Sequence, residues 1–248
     1  SHKREKMNLP WKKSLIIIPT FNEILNIEKM LITLSQLYPE LSILIIDDGS
    51  PDGTANIVKK FQASNTNIHL IQRTGKLGLG TAYLTGFKWA LERKFEFVFE
   101  MDCDFSHDPS DLPKLLEQAQ SCDLAVGSRY IGGIRVINWP MHRLLLSYFA
   151  SLYTRIITGL PLTDATGGFK CFTSKALQSF DLNKVFSNGY SFQIELNYKV
   201  WAKNLKIVEV PIVFTERRDG ESKMSRKIVY EAVFAVFRLR IAKILGQL

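Results

Sequence analysis

Five apolar runs of strand length, Leu15–Ile18, Ile43–Ile46, Ile68–Ile71, Phe95–Met101 and Leu124–Val126, punctuate the chain up to about residue 128. Between them lie stretches with helical spacing, read as Asn22–Leu37, a helix opened by Pro51-Asp52-Gly53-Thr54, Thr81–Glu92 and Asp111–Gln120. A strand that is apolar along its whole length is covered on both faces, as in a parallel sheet flanked by helices. The fold class that follows is α/β, a doubly wound Rossmann-like sheet, mostly parallel, with helices on both faces. In such sheets ligands sit beyond the carboxyl ends of the strands. Thr20-Phe21-Asn22-Glu23, Asp47-Asp48-Gly49-Ser50 and Asp102-Cys103-Asp104 each follow directly on an apolar run, so they should converge on one edge.

The pattern changes after Arg129. Gly132-Gly133 marks a loop, and a long helix follows from about His142 to Thr158. Then come a loop or short strand around Thr166–Phe169, a helix over Phe192–Lys203 and a strand over Ile207–Phe214. No repeat or low-complexity linker interrupts this order. A length of 248 residues suits one large α/β domain or two small ones, and the economical division is one domain over 8–225 with a C-terminal amphipathic helix over 226–248.

Composition narrows the function classes. With 46% apolar and 23% charged residues the chain carries an ordinary core, which excludes disorder and collagen. Cys103, Cys122 and Cys171 are odd in number and none stand at C-x-x-C spacing, which argues against zinc ribbons and disulfide frameworks and for a reducing setting. A net charge of +8 attracts phosphate, whether on nucleic acid, nucleotides or an anionic membrane leaflet. Ser1–Lys6 is basic and polar, Met7 suits a natural start, and no signal peptide is visible. The most apolar stretch, Leu144–Thr154, lies between Arg143 and Arg155 and is too short for a bilayer core of about 30 Å.

Asp102 and Asp104, one residue apart at a strand end, are suited to share a divalent cation with a diphosphate, because Mg²⁺ and Mn²⁺ take oxygen ligands and leave positions open. An EF-hand loop starting at Asp102 would need Gly and Glu where His107 and Pro113 stand. An aspartyl-phosphate phosphatase could use the same pair, although such a motif is expected after a first strand rather than a fourth. His107 reads as a loop histidine bonded to backbone or as a further ligand. Asp47–Thr54 reads as a turn and helix cap that can also accept hydrogen bonds from a ribose or base. Gly78-Leu79-Gly80 places Tyr83 where a dinucleotide fingerprint needs its third Gly, and Gly75-Lys76 lacks the Ser/Thr of a P-loop. Arg143, Ser147, Ser151, Thr154, Arg155 and Thr158 share one stripe of an otherwise apolar helix, which is either buried or lying in a membrane interface. The run Arg217–Lys223 is a solvated basic loop or a clamp on a diphosphate.

Taken in order, Pro19–Glu23, Asp47–Thr54, Gly78–Thr81, Met101–His107, Gly127–Tyr130, Asn138-Trp139-Pro140, Gly189–Glu195 and Gly220–Lys223 resemble the polyprenol-phosphate (dolichol-phosphate) mannose synthases of glycosyltransferase family 2. The resemblance implies a GT-A fold, a GDP-mannose donor, a polyprenyl phosphate acceptor, Mg²⁺ or Mn²⁺, and a peripheral place on the cytoplasmic face of a membrane, with no nucleic acid partner. Carried over by position, Asp102, Asp104 and Ser106 would bind the metal, Ser106 standing where some relatives have Gln. Pro19, Thr20, Asn22, Glu23, Asp47, Asp48, Gly78, Asp102, Cys103, Gln193 and Lys223 would line the nucleotide-sugar pocket, with Glu195 facing the sugar beside Gln193. Arg129, Arg143 and Ser147 would hold the acceptor phosphate, and Asp104, Arg129 and Arg217 would act in catalysis. Two other readings remain open at this stage. One is a transferase using another sugar nucleotide such as UDP-glucose; the other is a membrane-surface module whose nucleotide site is inert.

Overall fold

The computed structural model describes residues 8–216 and 226–248. A seven-stranded sheet in the order β3-β2-β1-β4-β7-β5-β8 forms its centre. The strands are β1 (Ser14–Thr20), β2 (Ser42–Asp47), β3 (Ile68–Gln72), β4 (Phe97–Glu100), β5 (Leu124–Ser128), β7 (Lys170–Thr173) and β8 (Ile207–Pro211). All pairings are parallel except those of β7, which runs antiparallel between β4 and β5. The expected mostly parallel, doubly wound sheet is therefore present.

Alternation along the strands divides the core between the two faces of the sheet. Ile16, Ile18, Ile43, Ile45 and Phe99 pack under α1 (Ile27–Leu37), α2 (Thr54–Gln62) and α4 (Leu112–Ala119). Leu15, Ile17, Leu44, Ile46 and Val98 pack under α3 (Leu79–Glu92), α6 (Ser174–Gln178) and α7 (Tyr190–Ala202). Gly86 lets α3 lie directly on β1, since a Cβ there would stand 2.6 Å from Ile17 Cδ1. A further apolar cluster, with Ile194, Tyr198, Val236 and Leu239, joins α7 to α8 (Arg226–Ile244).

Two expectations change, while the loop reading at Thr166–Phe169 holds. The first helix starts at Ile27 rather than Asn22, because Asn22 takes φ 55° and the chain turns before Glu23 O accepts the N–H of Ile27. The strand expected over Ile207–Phe214 ends at Pro211, which has no N–H to continue a ladder. Phe214–Thr215 (β9) then leaves the main sheet to pair with Val136–Ile137 (β6). The segment read as a loop or short strand at Thr166–Phe169 leads into β7 one residue later.

The long helix α5 (Met141–Thr158) is inside out. Its buried residues are Ser147, Ser151, Thr154 and Thr158, whereas Met141, Leu145, Phe149 and Ile156 are exposed. The hydroxyl residues of the stripe seen in the sequence thus face the protein, with Ser151 Oγ accepting the N–H of Ala165 at 3.1 Å, whereas Arg155, counted in the same stripe, is exposed because it lies on the solvent side of the last turn. On α8, Tyr230, Phe234, Phe237, Ile241 and Ile244 are likewise exposed. No helix among the described residues is long and apolar enough to cross a membrane.

Candidate active site

The carboxyl ends of β1, β2 and β4 open onto one cleft, lined by Pro19, Thr20, Phe21, Glu23, Asp48, Lys76, Leu79, Asp102, Cys103 and Asp104. Strand register explains the convergence. Thr20 pairs with Asp47 and Ile17 with Glu100, so the polar residues that follow each strand emerge side by side.

Asp47 lies beneath the cleft. Its buried carboxylate accepts hydrogen bonds from Thr20 Oγ1 at 2.7 Å, Ser50 Oγ at 2.6 Å and Ser50 N at 2.9 Å, which shapes the turn presenting Asp48. Asn22, in the left-handed region that asparagine tolerates, donates its N–H to Ser50 Oγ at 2.9 Å. Glu23 donates its N–H to Thr54 Oγ1 at 3.1 Å and accepts from Asn26 Nδ2 at 3.0 Å. Asp48 is gripped by Arg73, whose Nε and NH2 donate at 2.7 and 2.9 Å. The same guanidinium reaches Gly78 O at 3.1 Å and Thr81 Oγ1 at 2.8 Å. Sequence reasoning passed over Arg73. Its position immediately after β3, at the ligand edge, was the available signal. Lys76, also missed, sits over the Phe21 ring at 4.9 Å. Gly78 has φ 104° and leaves no room for a Cβ, which would stand 2.3 Å from the Asn188 side-chain nitrogen; Asn188 Oδ1 in turn accepts the Gly80 N–H at 2.9 Å.

Asp102 and Asp104 stand half-buried at the rim, and Asp104 Oδ1 accepts the N–H of the buried Ser106 at 3.0 Å. Burial pushes the Asp102 carboxyl up to about 7, with the Asp104, Glu100 and Glu216 carboxylates adding to the rise and Arg129 opposing it. Burial is the larger cause, and the carboxylates beside it add a local negative charge that a cation would relieve. No group of three His, Cys, Asp or Glu suited to a metal occurs among the described residues. Asp102 and Asp104 nevertheless offer the cleft two carboxylates, oxygen donors of the kind a hard divalent ion takes. Cys103 touches the cleft, yet its side chain belongs to the core and burial pushes its thiol up, so it offers no thiolate nucleophile.

Behind the pair, Glu100 and Lys170 face each other across β4 and β7, both fully buried. Burial pushes the Glu100 carboxyl up to about 7, while Lys170 and the Gln193 amide oppose the rise. Lys170 Nζ donates to Gln193 O at 3.2 Å and to Asn197 Oδ1 at 2.8 Å, which ties α7 to the sheet beside the Asp102–Asp104 pair. Glu195 is occupied elsewhere: it accepts the Ser187 N–H and the Lys199 ammonium, each at 2.8 Å.

The second cluster gathers at α5. Arg129 is 5% exposed and paired with the fully buried Asp164, with Nε–Oδ2 at 2.7 Å, NH2–Oδ1 at 2.8 Å and its own N–H on Oδ2 at 2.9 Å. Arg129 NH2 also donates to Thr166 Oγ1 at 2.9 Å. Arg143 forms an ion pair with Glu216. Ser147 Oγ accepts the Tyr130 hydroxyl proton at 2.6 Å. The partners Asp164, Glu216 and Tyr130 were not singled out from sequence. The charges of Arg129 and Glu216 both bear on Asp102, so the second cluster lies within electrostatic reach of the first. Arg217 and Lys223 lie outside the described residues.

The chain is similar to known glycosyltransferases. The profile of "Glycosyl transferase family 2" matches residues 15–180. The chain is 45% identical to the undecaprenyl-phosphate mannosyltransferase of Micrococcus luteus, over 92% of this chain and 94% of that protein. It is 42% identical to the polyprenol monophosphomannose synthase of Mycolicibacterium smegmatis, over 92% of this chain and 86% of that protein. Among solved structures it resembles glucosyl-3-phosphoglycerate synthase from Mycobacterium tuberculosis in complex with Mn²⁺, uridine diphosphate and glucosyl-3-phosphoglycerate. That match has a TM-score of 0.63 at 18% identity, covering 98% of this chain and 81% of the other. At that identity the likeness bears on fold alone, and the fold is GT-A-like.

Proposed function

The chain belongs to glycosyl transferase family 2, among its polyprenol-phosphate mannosyltransferases, and from that premise we propose that it transfers mannose from GDP-mannose to a polyprenyl phosphate. The observation that carries the reading is that Asp102 and Asp104 line the cleft at the strand ends, while Arg129, whose charge bears on Asp102, stands with Arg143 against the Trp139 ring. The first side takes the nucleotide diphosphate, with Asp48, Arg73 and Lys76 around the nucleoside. The second takes the acceptor phosphate beside Arg129 and Arg143.

The chemistry asked of the residues is modest. A phosphate monoester has its second pKa near 6 and is largely dianionic at neutral pH, so the nucleophile needs no general base. His107 could not serve as one in any case: burial pushes it down to about 3 and its ring is stacked on Phe169 at 4.9 Å. What remains is to hold two anions together and orient in-line attack on the anomeric carbon with inversion. Arg143 draws in the acceptor phosphate, and Arg129, fixed by Asp164, keeps positive charge between the reactants. A Mg²⁺ or Mn²⁺ ion held by Asp102 and Asp104, with Ser106 adjoining, would supply Lewis-acid stabilisation of the departing diphosphate. Gln193, held over β7 by Lys170, borders the sugar.

Peripheral membrane attachment is supported by the inverted α5 and by the exposed apolar residues of α8, which suit an interface where the lipid-borne acceptor resides. The test is a donor panel of GDP-mannose, UDP-glucose and GDP-glucose, run with and without farnesyl phosphate and with and without Mn²⁺. Transfer from GDP-mannose that requires both acceptor and metal is the expected result. Preference for a uridine donor, or sugar release without an acceptor, would overturn the proposal.

A further inference from the structure

Asn138-Trp139-Pro140 is a motif that the site so far leaves without a task. Its backbone is closely specified. Asn138 takes φ 64°, which asparagine tolerates better than most residues, and Pro140 confines Trp139 to an extended conformation at the mouth of α5. The indole is thereby set against both arginines, its ring centre 5.1 Å from the Arg129 guanidinium carbon and 4.5 Å from that of Arg143. Phe214 meets it edge-on at 5.4 Å. Both cations have carboxylate partners, Asp164 and Glu216.

Two donors in this arrangement are unanswered. The Trp139 Nε1–H is sealed from solvent without a hydrogen-bond partner, and so is the Arg143 Nε–H. Indole nitrogen only donates, and buried donors left unpaired are rare and costly. Orphaned donors on neighbouring side chains define a place for an acceptor oxygen. The same two residues also line an apolar cavity with Leu146, Phe149, Ile194 and Val233. The ligand that suits both features is an anion carrying an apolar tail.

We infer that Trp139 donates its Nε1–H to a phosphate oxygen of the acceptor, beside Arg143 Nε, and that its ring fixes the relative setting of the two guanidiniums. The inference rests on the reading of a phosphorylated lipid acceptor and adds to it a neutral donor. A neutral donor contributes affinity that salt does not screen, in contrast to the arginines.

Farnesyl phosphate binding by calorimetry, together with acceptor and donor KM, separates the two roles of the indole. Trp139→Phe keeps a ring and removes the donor. It should weaken acceptor binding and raise acceptor KM by about 10- to 100-fold, the worth of a hydrogen bond to a charged group. Donor KM and the melting temperature should stay unchanged, and the ratio to wild type should not vary with salt. Trp139→Leu removes the ring as well and should lower kcat further. Binding of farnesyl phosphate by Trp139→Phe within about twofold of wild type overturns the inference, because a hydrogen bond to the phosphate would be worth far more. An equal loss of farnesol binding assigns the effect to packing and also overturns it, as does failure of the wild type to bind farnesyl phosphate. Should the wild type bind but transfer no sugar, a Trp139-dependent loss of binding would uphold this inference while the proposed reaction fails.

Discussion

Replacing Asp164 by alanine would strand a guanidinium that the fold has sealed in. Arg129 is 5% exposed and Asp164 0%, and the pair is joined by two side-chain contacts at 2.7 and 2.8 Å and by the Arg129 N–H at 2.9 Å. Truncation removes the opposing charge and all three hydrogen bonds at once while water stays out. Breaking a buried pair in this way costs about 3–5 kcal/mol, a large part of the roughly 5–15 kcal/mol that holds a domain folded. For a chain of this size the melting temperature should fall by roughly 6–20 °C, read by circular dichroism and by urea titration. The double variant Arg129→Met/Asp164→Leu removes both charges and should regain most of that loss, because buried pairs are poor stabilisers relative to apolar replacements. It should nevertheless lose transfer, since the cation between the reactants is gone. The sign with pH is fixed. Burial alone would raise the Asp164 carboxyl, but Arg129 reverses this and holds it below its ordinary value. The pair's contribution is therefore present above the unfolded carboxyl value of about 3.9 and is lost as pH falls through the lower folded value. Unfolding of Asp164→Ala within about 1 kcal/mol of wild type at pH 7 would refute the reasoning, as would a double variant less stable than the single one.

Asp104→Ala should cut mannosyl transfer at least about 1,000-fold, the scale of several kcal/mol of lost charge stabilisation, with an unchanged far-ultraviolet spectrum; full activity would remove the metal role. His107 is buried and pushed down to about 3, so stability should be full above about 6.5 and decline as pH falls, by roughly 2 kcal/mol at pH 5. His107→Phe should flatten that decline in urea titrations, and an unchanged slope would count against a neutral buried imidazole. Phe234→Asp, at a residue 75% exposed, should leave melting unaltered and weaken sedimentation with anionic vesicles by about tenfold or more; equal binding would take α8 off the membrane.

The sheet was legible because its evidence is local. Leu15–Ile18 and Ile43–Ile46 are apolar without alternation, which only a doubly covered strand explains, and Thr20, Asp48 and Asp102 then follow from the rule that ligands gather at carboxyl ends. Strand β7 was less legible: four residues beginning with a lysine do not announce a central antiparallel strand. Lys170 is accommodated there because Glu100 faces it across the ladder, a long-range fact that no window of sequence contains. Asn22 misled for a related reason, since the helical spacing after it is real but its own backbone is left-handed.

Partnership, more than position, separates what sequence can and cannot say about the site. Arg129 and Arg143 are recognisable where they stand, but each is paired with a carboxylate distant along the chain. Asp164 makes Arg129 a fixed charge, whereas the rim pair of Glu216 with Arg143 is half-buried and can yield to an incoming phosphate. The distinction matters chemically. A dianionic acceptor approaching a diphosphate meets repulsion that grows as it nears the anomeric carbon, so one guanidinium must hold its place while another exchanges partners. In the proposed reaction those duties would divide between the two arginines, and α5 would serve both, since it turns its hydroxyl stripe to the protein and its apolar side outward. A helix patterned this way is poor as a piece of a water-soluble surface, yet it is well suited to a reaction whose nucleophile is anchored in lipid.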